Sequence, residues 1–297
     1  MSALAEMVLT QIFINVIAVT GVYVLTGLTG MFSLGQAAFM AIGAYVSGVA
    51  VTKYAVSIWL AIPLAVAVAL LIGLMVGFPT ARLRRDYISL ITLGFGEALT
   101  ALLNKFNTLT GGAQGMVGIP KLVTLPVVCI SAVVAIALVA MFKTSKYGRQ
   151  CIAVRSDELS AKAMGINVPR VKLTAFLFSV AITAYSGCMY AFYITYVDPT
   201  LFGWKRSADW VIMVFFGGIN SLSGSVVASF LLTGLPELLR EFSVFRYIIY
   251  AVLVLLIINF KPDGLLGSME LTPRSVLRAV ENRKRKNKKK GEIKDAA

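Results

Sequence analysis

The sequence contains no histidine and only three cysteines, Cys129, Cys151 and Cys188, which stand far apart. Without imidazole, catalysis built on a histidine base is excluded and a thiol-imidazole metal site has no donors. The wide spacing argues against a disulfide framework, so the three thiols are expected to be packing residues. Charge is scarce as well: 14% of the 297 residues are Asp, Glu, Lys or Arg, where a soluble domain has about 25%. Phosphate-binding patterns are also missing. No Gly-x-x-x-x-Gly-Lys-Ser/Thr occurs, and Gly94-Phe95-Gly96 continues with Glu97, Ala98 and Leu99, not with the third glycine of Gly-x-Gly-x-x-Gly. Any energy from ATP must therefore reach this chain from another subunit.

What is present is apolar. Residues of the hydrophobic set make up 58% of the chain, in runs near 7–28, 31–52, 57–79, 87–103, 122–142, 172–197, 208–235 and 244–261. Runs of this length cross a hydrocarbon slab of about 30 Å as helices, which satisfy their own backbone groups. The fold class expected is an all-α polytopic membrane protein with about 8–10 transmembrane helices, some broken or re-entrant. Glu6 and the lack of a basic residue ahead of the first run do not fit a secretory leader, so that run is expected to stay in the mature protein.

Positive charge sets the orientation. The 143–172 loop carries seven basic residues against two acids, and residues 268–297 carry ten against four. The positive-inside rule places both in the cytoplasm, Arg82, Arg84 and Arg85 with them, and the N-terminus outside. The chain then divides into a transmembrane domain over 1–267 and a basic tail over 268–297. The run 281–290 is too charged to fold alone and is expected to lie disordered against anionic lipid; it has no interleaved aromatics to suggest nucleic acid.

A loop and a tail on one side require an even number of crossings between them, yet only three long runs follow the loop. The break falls in Phe215–Gly224, where Gly217, Gly218, Asn220 and Gly224 interrupt an apolar stretch. Two short helices are expected there; the alternative is one helix with closely packed glycines. Gly73 and Gly77 form a Gly-x-x-x-Gly motif that reads as helix association, within the chain or across to a partner. Gly111 to Gly115 reads as an external turn.

Within the loop, residues 156–166 read as a short bounded helix. Ser156 is the expected cap, Asp157 and Glu158 occupy the first turn, Gly165 takes the left-handed position past the end, and Pro169 prevents resumption. Ala161 and Gly165, four apart, leave a low face. The helix is either a docking element or a solvated surface helix.

These residues resemble a known family. Lys146-Tyr147-Gly148-Arg149, then Ala153-Val154-Arg155-Ser156-Asp157-Glu158, Ala161, Ala163-Met164-Gly165 and Lys172-Leu173-Thr174-Ala175-Phe176 are similar to the coupling loop of branched-chain amino-acid ABC transporter permeases of the LivM-like kind. Gly30 to Phe39, Asp86-Tyr87 with Thr92 to Glu97, Thr110 to Gly115 with Gly118-Ile119-Pro120, Phe216 to Gly224 and Lys261 to Gly267 resemble its other signatures in order, over about residues 15–267. Arg85 stands where the family often has Gly, and Ala113 and Ser225 where it often has Pro. The resemblance implies a non-catalytic permease subunit in the bacterial inner membrane. Its partners would be a second permease, two ATPase subunits that bind the ATP and an extracytoplasmic substrate-binding protein, and it would hold no cofactor or metal of its own. Contact with the ATPase would fall to Arg155, Ser156, Asp157, Glu158, Ala161, Lys162, Gly165 and Ile166.

Candidates for the translocation pathway are Ser33, Gly35, Gln36, Thr92, Gly94 and Glu97, small or polar groups in apolar surroundings; pure helix packing explains all but the last nearly as well. Glu97 is costly at that depth and should pair or face water. It either meets the ammonium of a passing amino acid or, as the favoured reading, accepts hydrogen bonds from a broken neighbouring helix. Competing readings are an ion-gradient-driven secondary transporter, disfavoured by the sparse intramembrane carboxylates, a permease for urea, other amides or other amino acids, and a membrane enzyme, which lacks paired carboxylates.

Overall fold

The computed structural model describes residues 3–106 and 110–238, and 251–252, 255, 259–261, 264–267 and 270 beyond them. The expected disordered tail lies outside the described residues, apart from Glu270, as does most of the last apolar run. The described elements are helices α1 (Ala3–Tyr23), α2 (Gln36–Tyr54), α3 (Ile58–Thr80), α4 (Arg85–Lys105), α5 (Leu125–Thr144), α6 (Lys146–Ser156), α7 (Glu158–Ala163), α8 (Val168–Ile194), α9 (Trp204–Gly217) and α10 (Leu222–Leu238). Two-residue strands β1 (Met116–Val117) and β2 (Tyr196–Val197) pair antiparallel. The all-α expectation holds. Among the described residues six helices are long and apolar enough to cross a membrane: α1 with its π-helical extension Val24–Thr29, α2, α3, α4, α5 and α8.

Helix α8 forms the centre, against α1, α2 and α3. In lipid there is no hydrophobic drive between helices, so close approach of small residues supplies the contact. A Cβ at Gly43 of α2 would overlap the carbonyl of Ala184 on α8, and one at Gly187 of α8 would overlap the carbonyl of Met40. Helix α3 presents Ala61, Ala65, Ala69, Gly73 and Gly77 as its buried face, one residue per turn, and exposes Trp59, Leu60, Leu64, Leu71, Met75 and Phe78. Gly73 faces Val180 and Gly77 faces Phe176 and Leu173 of α8, so the Gly-x-x-x-Gly motif serves association within this chain.

The run expected over 31–52 starts its helix only at Gln36. Gly30 adopts a left-handed conformation (φ 68°) at the end of the π-helical turn, and buried non-helical backbone leads from it to Gly35. Its polar groups are met by side chains: Leu34 N–H donates to Thr92 Oγ1 (3.2 Å), and Ala37 N–H at the start of α2 to Ser207 Oγ (2.9 Å).

The break at Gly217–Gly224 gives the two short helices expected, α9 and α10. They run back to back, because Gly217 and Gly224 touch backbone to backbone where a Cβ on either would overlap the other residue's carbonyl. The turn lies at the same end as the basic loop: Asn220 O accepts from Lys143 Nζ at 2.9 Å. Leu265 and Leu266 N–H return to Phe216 O (2.8 Å) and Gly217 O (3.3 Å), so the chain is back at that end by residue 265. The 208–235 run is thus doubled into two helices.

At the opposite end, Gly111, Gly112, Gly115 and Gly118 all have positive φ, and the turn they form is clipped to the end of α8 by the β1–β2 pair. The turn expected over 111–115 is therefore present, away from the basic loop. None of the cysteines is bonded; Cys151 and Cys188 are buried and Cys129 is half-buried. Burial pushes the Cys151 thiol up to about 12. Cys151 should accordingly resist maleimide at pH 8 in the native protein and react after denaturation, as read by mass spectrometry of the 146–156 peptide.

Candidate functional site

The loop between α5 and α8 folds into two helices, and their junction differs from the sequence reading. Ser156 closes α6, its hydroxyl donating to Ile152 O at 3.1 Å. Asp157 is the cap of α7: its Oδ1 accepts from Leu159 N–H at 3.0 Å and its Oδ2 from the Ser160 hydroxyl. Asp is as good a cap as Ser, and here the extended backbone needed at the cap (φ −155°) falls one residue later. The Ser160 hydroxyl, then the Leu159 N–H, hold the Asp157 carboxyl below its usual range. The helix is Glu158–Ala163, shorter than the expected 156–166.

Its end follows expectation. Gly165 has φ 81°, Gly165 N–H reaches Lys162 O (3.0 Å) and Ile166 N–H reaches Ala161 O (3.1 Å), the paired bonds of a Schellman motif. Pro169 acts differently from the sequence reading. It sits in the first turn of α8, where a missing N–H costs nothing, and Asn167 caps that helix through Arg170 N–H.

Ala161 is buried, whereas Leu159 is 80% and Met164 84% exposed. Beneath α7 a cleft of about 620 Å3 separates it from the α3–α4 elbow, with Arg82, Lys162 and Asn167 on its walls.

Three cations tie this loop to the spans. Glu158 Oε1 lies 3.2 Å from Arg85 Nε and 2.8 Å from Lys172 Nζ, and Lys172, 2% exposed, also donates to Leu83 O at 3.0 Å. Arg85 Nη2 donates to the carbonyls of Val154 and Arg155, closing the C-terminus of α6 where a cation suits the helix dipole. Arg155 Nη1 donates to Gly27 O in the π-helical turn and, at 3.4 Å, to Ile219 O, while Nη2 reaches Asn220 Oδ1. The loop is thereby fastened to α1, to the α3–α4 elbow, to α8 and to the α9–α10 turn. The contributions of Arg85 and Lys172 were not foreseen. An arginine at the start of α4 and a lysine at the very edge of the 172–197 apolar run were the available signals.

The pathway candidates divide. Ser33, Gln36 and Thr92 are buried and partnered: Gln36 Nε2 donates to Ser33 Oγ (3.4 Å), Gln36 Oε1 accepts from Thr183 Oγ1 (3.1 Å), and Thr92 Oγ1 donates to Ile88 O (2.8 Å). A Cβ at Gly35 would overlap the carbonyl of Thr92, so Gly35 and Thr92 mark the crossing of α2 with α4. Gly94 faces open space. Glu97 accepts from Trp204 N–H, the first amide of α9, at 3.4 Å, and it also lines a polar cavity of about 600 Å3 beside the start of α9.

Among the described residues, ten helices, six of them able to span a bilayer, with a fastened helical loop at the basic end, define a multi-pass α-helical membrane protein. The comparisons say which kind. The sequence model of the family described as "Branched-chain amino acid transport system / permease component" matches residues 4–259, and the chain belongs to that family. It is 31% identical over 295 residues to the high-affinity branched-chain amino acid transport system permease protein LivM of Salmonella typhimurium, over 86% of this chain and 68% of that one. The LivM of Escherichia coli K12 gives the same figures. The permease protein LivH of Escherichia coli K12 is 23% identical over 274 residues, 82% of this chain and 88% of its own. No solved structure matches.

Proposed function

We propose that this permease chain carries branched-chain amino acids, leucine, isoleucine and valine, inward across the inner membrane. It acts beside a second permease subunit, with two ATPase subunits that bind and hydrolyse the ATP and an extracytoplasmic binding protein that delivers the substrate. The basic end of the chain faces the cytoplasm, the charged tail with it. The observation that carries this reading is α7, a six-residue helix that exposes Leu159, with exposed Met164 just past its end, at the basic end while Glu158 fastens it to two spans. Exposed apolar side chains on a firmly held helix suit a groove on a partner better than water. Movement of that partner is then passed to α4 and α8 through Arg85 and Lys172, and to α1 and the α9–α10 turn through Arg155.

Gly165→Val forces a branched side chain into a left-handed conformation at a strain of about 1–2 kcal/mol, with no steric contact to blame. In proteoliposomes holding the whole transporter, Gly165→Val and Leu159→Asp should each lower leucine uptake per ATP hydrolysed at least about fivefold, a coupling loss of about 1 kcal/mol. Leucine uptake by this chain alone, driven by an ion gradient, would refute the reading and favour a secondary transporter.

A further inference from the structure

The cavity beside the start of α9 holds charge of both signs. Glu97 and Asp209 line it, and so do Lys205 and Arg206, with Trp204 and Leu201 adding apolar wall. None of these four charged residues enters an ion pair with another among the described residues. Arg206 makes its hydrogen bond and ring contacts with neutral groups, with Asp209 a charge neighbour one turn on: its Nη2 donates to Asn15 Oδ1 at 3.4 Å, and its guanidinium lies 5.3 Å from the Tyr190 ring and 5.7 Å from the Trp210 ring. Asn15 Oδ1 also accepts from Trp210 Nε1 (3.4 Å), and Asn15 Nδ2 donates to Thr233 (3.3 Å), which fixes the position of the guanidinium. Glu97, Lys205 and Asp209 are exposed and Arg206 is half-buried, beside membrane-crossing helices where ionisable groups pair or face water. Four that stay apart around a cavity of ligand size leave room for a ligand carrying both charges.

We propose that this cavity is a transit site for the zwitterionic head of an amino acid, with Glu97 receiving the ammonium, Arg206 the carboxylate, and Trp204 and Leu201 the aliphatic side chain. The assignment rests on the function proposed above and gives it a location. Carboxylate and ammonium bind at opposite walls through charge-assisted hydrogen bonds, while the tryptophan and leucine surfaces accept a short branched side chain. Glu97 sits on α4, whose span is the least buried of the six, so the cavity is open on the side where a second permease would close it.

The test uses the whole transporter in lipid nanodiscs, with this chain carrying Cys129→Ala and Leu201→Cys, and follows labelling of the introduced thiol by a methanethiosulfonate. Leucine should slow labelling, whereas 3-methylbutylamine and 4-methylpentanoate, each with one of the two charges, should not. Glu97→Gln, which is isosteric, and Arg206→Gln should each raise the half-protecting leucine concentration at least about tenfold, with Arg206→Lys recovering part. Unchanged protection in Glu97→Gln, or equal protection by the amine or the acid, overturns the site. If leucine does not protect while the same assembly in vesicles takes it up, the site falls and the transport function stands. If the assembly takes up no leucine with ATP, the transport function itself falls.

Discussion

Gly43→Leu should abolish recovery of folded protein, with Gly187→Leu close behind. At this crossing α2 and α8 meet backbone to backbone. A Cβ at Gly43 would overlap the carbonyl of Ala184, and one at Gly187 would overlap the carbonyl of Met40 and lie 3.0 Å from Ala44 N. Excess volume against a side chain is relieved by a rotamer change, and overpacking then costs about 1–3 kcal/mol. Carbonyls locked in helical hydrogen bonds cannot turn aside, so the helices themselves must separate. Separation forfeits the van der Waals contact that holds them, and lipid offers no hydrophobic compensation. The loss should therefore exceed that range. Gly94→Ala is the control: it faces open space and gains about 1 kcal/mol of helix propensity. The measurement is the monodisperse fraction on size exclusion in mild detergent together with the thermal midpoint. A Gly43→Leu protein that matches wild type in both would show that the crossing is looser than the structure has it.

Glu158→Lys should have the second-largest effect, and on function more than on fold. Arg85 and Lys172 share the Glu158 carboxylate, and Lys172 is almost wholly buried. Removing one partner of a fully buried pair costs about 3–5 kcal/mol. Glu158 and Arg85 retain about a third of their side-chain exposure, so screening reduces that here to about 1–3 kcal/mol. A lysine adds repulsion between three cations. The cost falls on the attachment of α7, because each of the two spans keeps its own lipid and helix contacts. Trypsin should then cut after Lys162 at least about tenfold faster than in wild type, as expected when about 1.4 kcal/mol of local stability is lost. Leucine uptake by the assembled transporter should fall by a similar factor, and Glu158→Gln should be intermediate in both. Unaltered cleavage with lost transport would place the role of Glu158 in contact with a partner.

Much of the architecture was legible because the signals are physical and local. Apolar runs match bilayer thickness, basic residues mark one end, and glycine with no alternative conformer marks the stop of α7 at Gly165. What was missed was tertiary. Whether Ser156 or Asp157 caps α7 depends on where the preceding helix ends, and two adjacent good caps do not settle that. The parity gap located the break at Gly217–Gly224, but the glycines alone do not say that α9 and α10 fold back on each other. Gln36 and Thr92 look like cavity groups in one dimension; the crossing of α2 with α4 and α8 gives them partners, Ser33 and Thr183 for Gln36 and the non-helical Leu34 N–H for Thr92. Arg206 and Asn15 were passed over because 191 positions of sequence separate them.

Lys143, near the end of α5, pairs with Glu270 and also donates to Tyr23 Oη and to Asn220 O, both at 2.9 Å. A purification handle or truncation placed ahead of position 270 therefore strips away the carboxylate and leaves a half-shielded ammonium lodged between α1 and the hairpin turn. Handles attached after that position preserve the clasp, which sets the boundary for engineering the C-terminus.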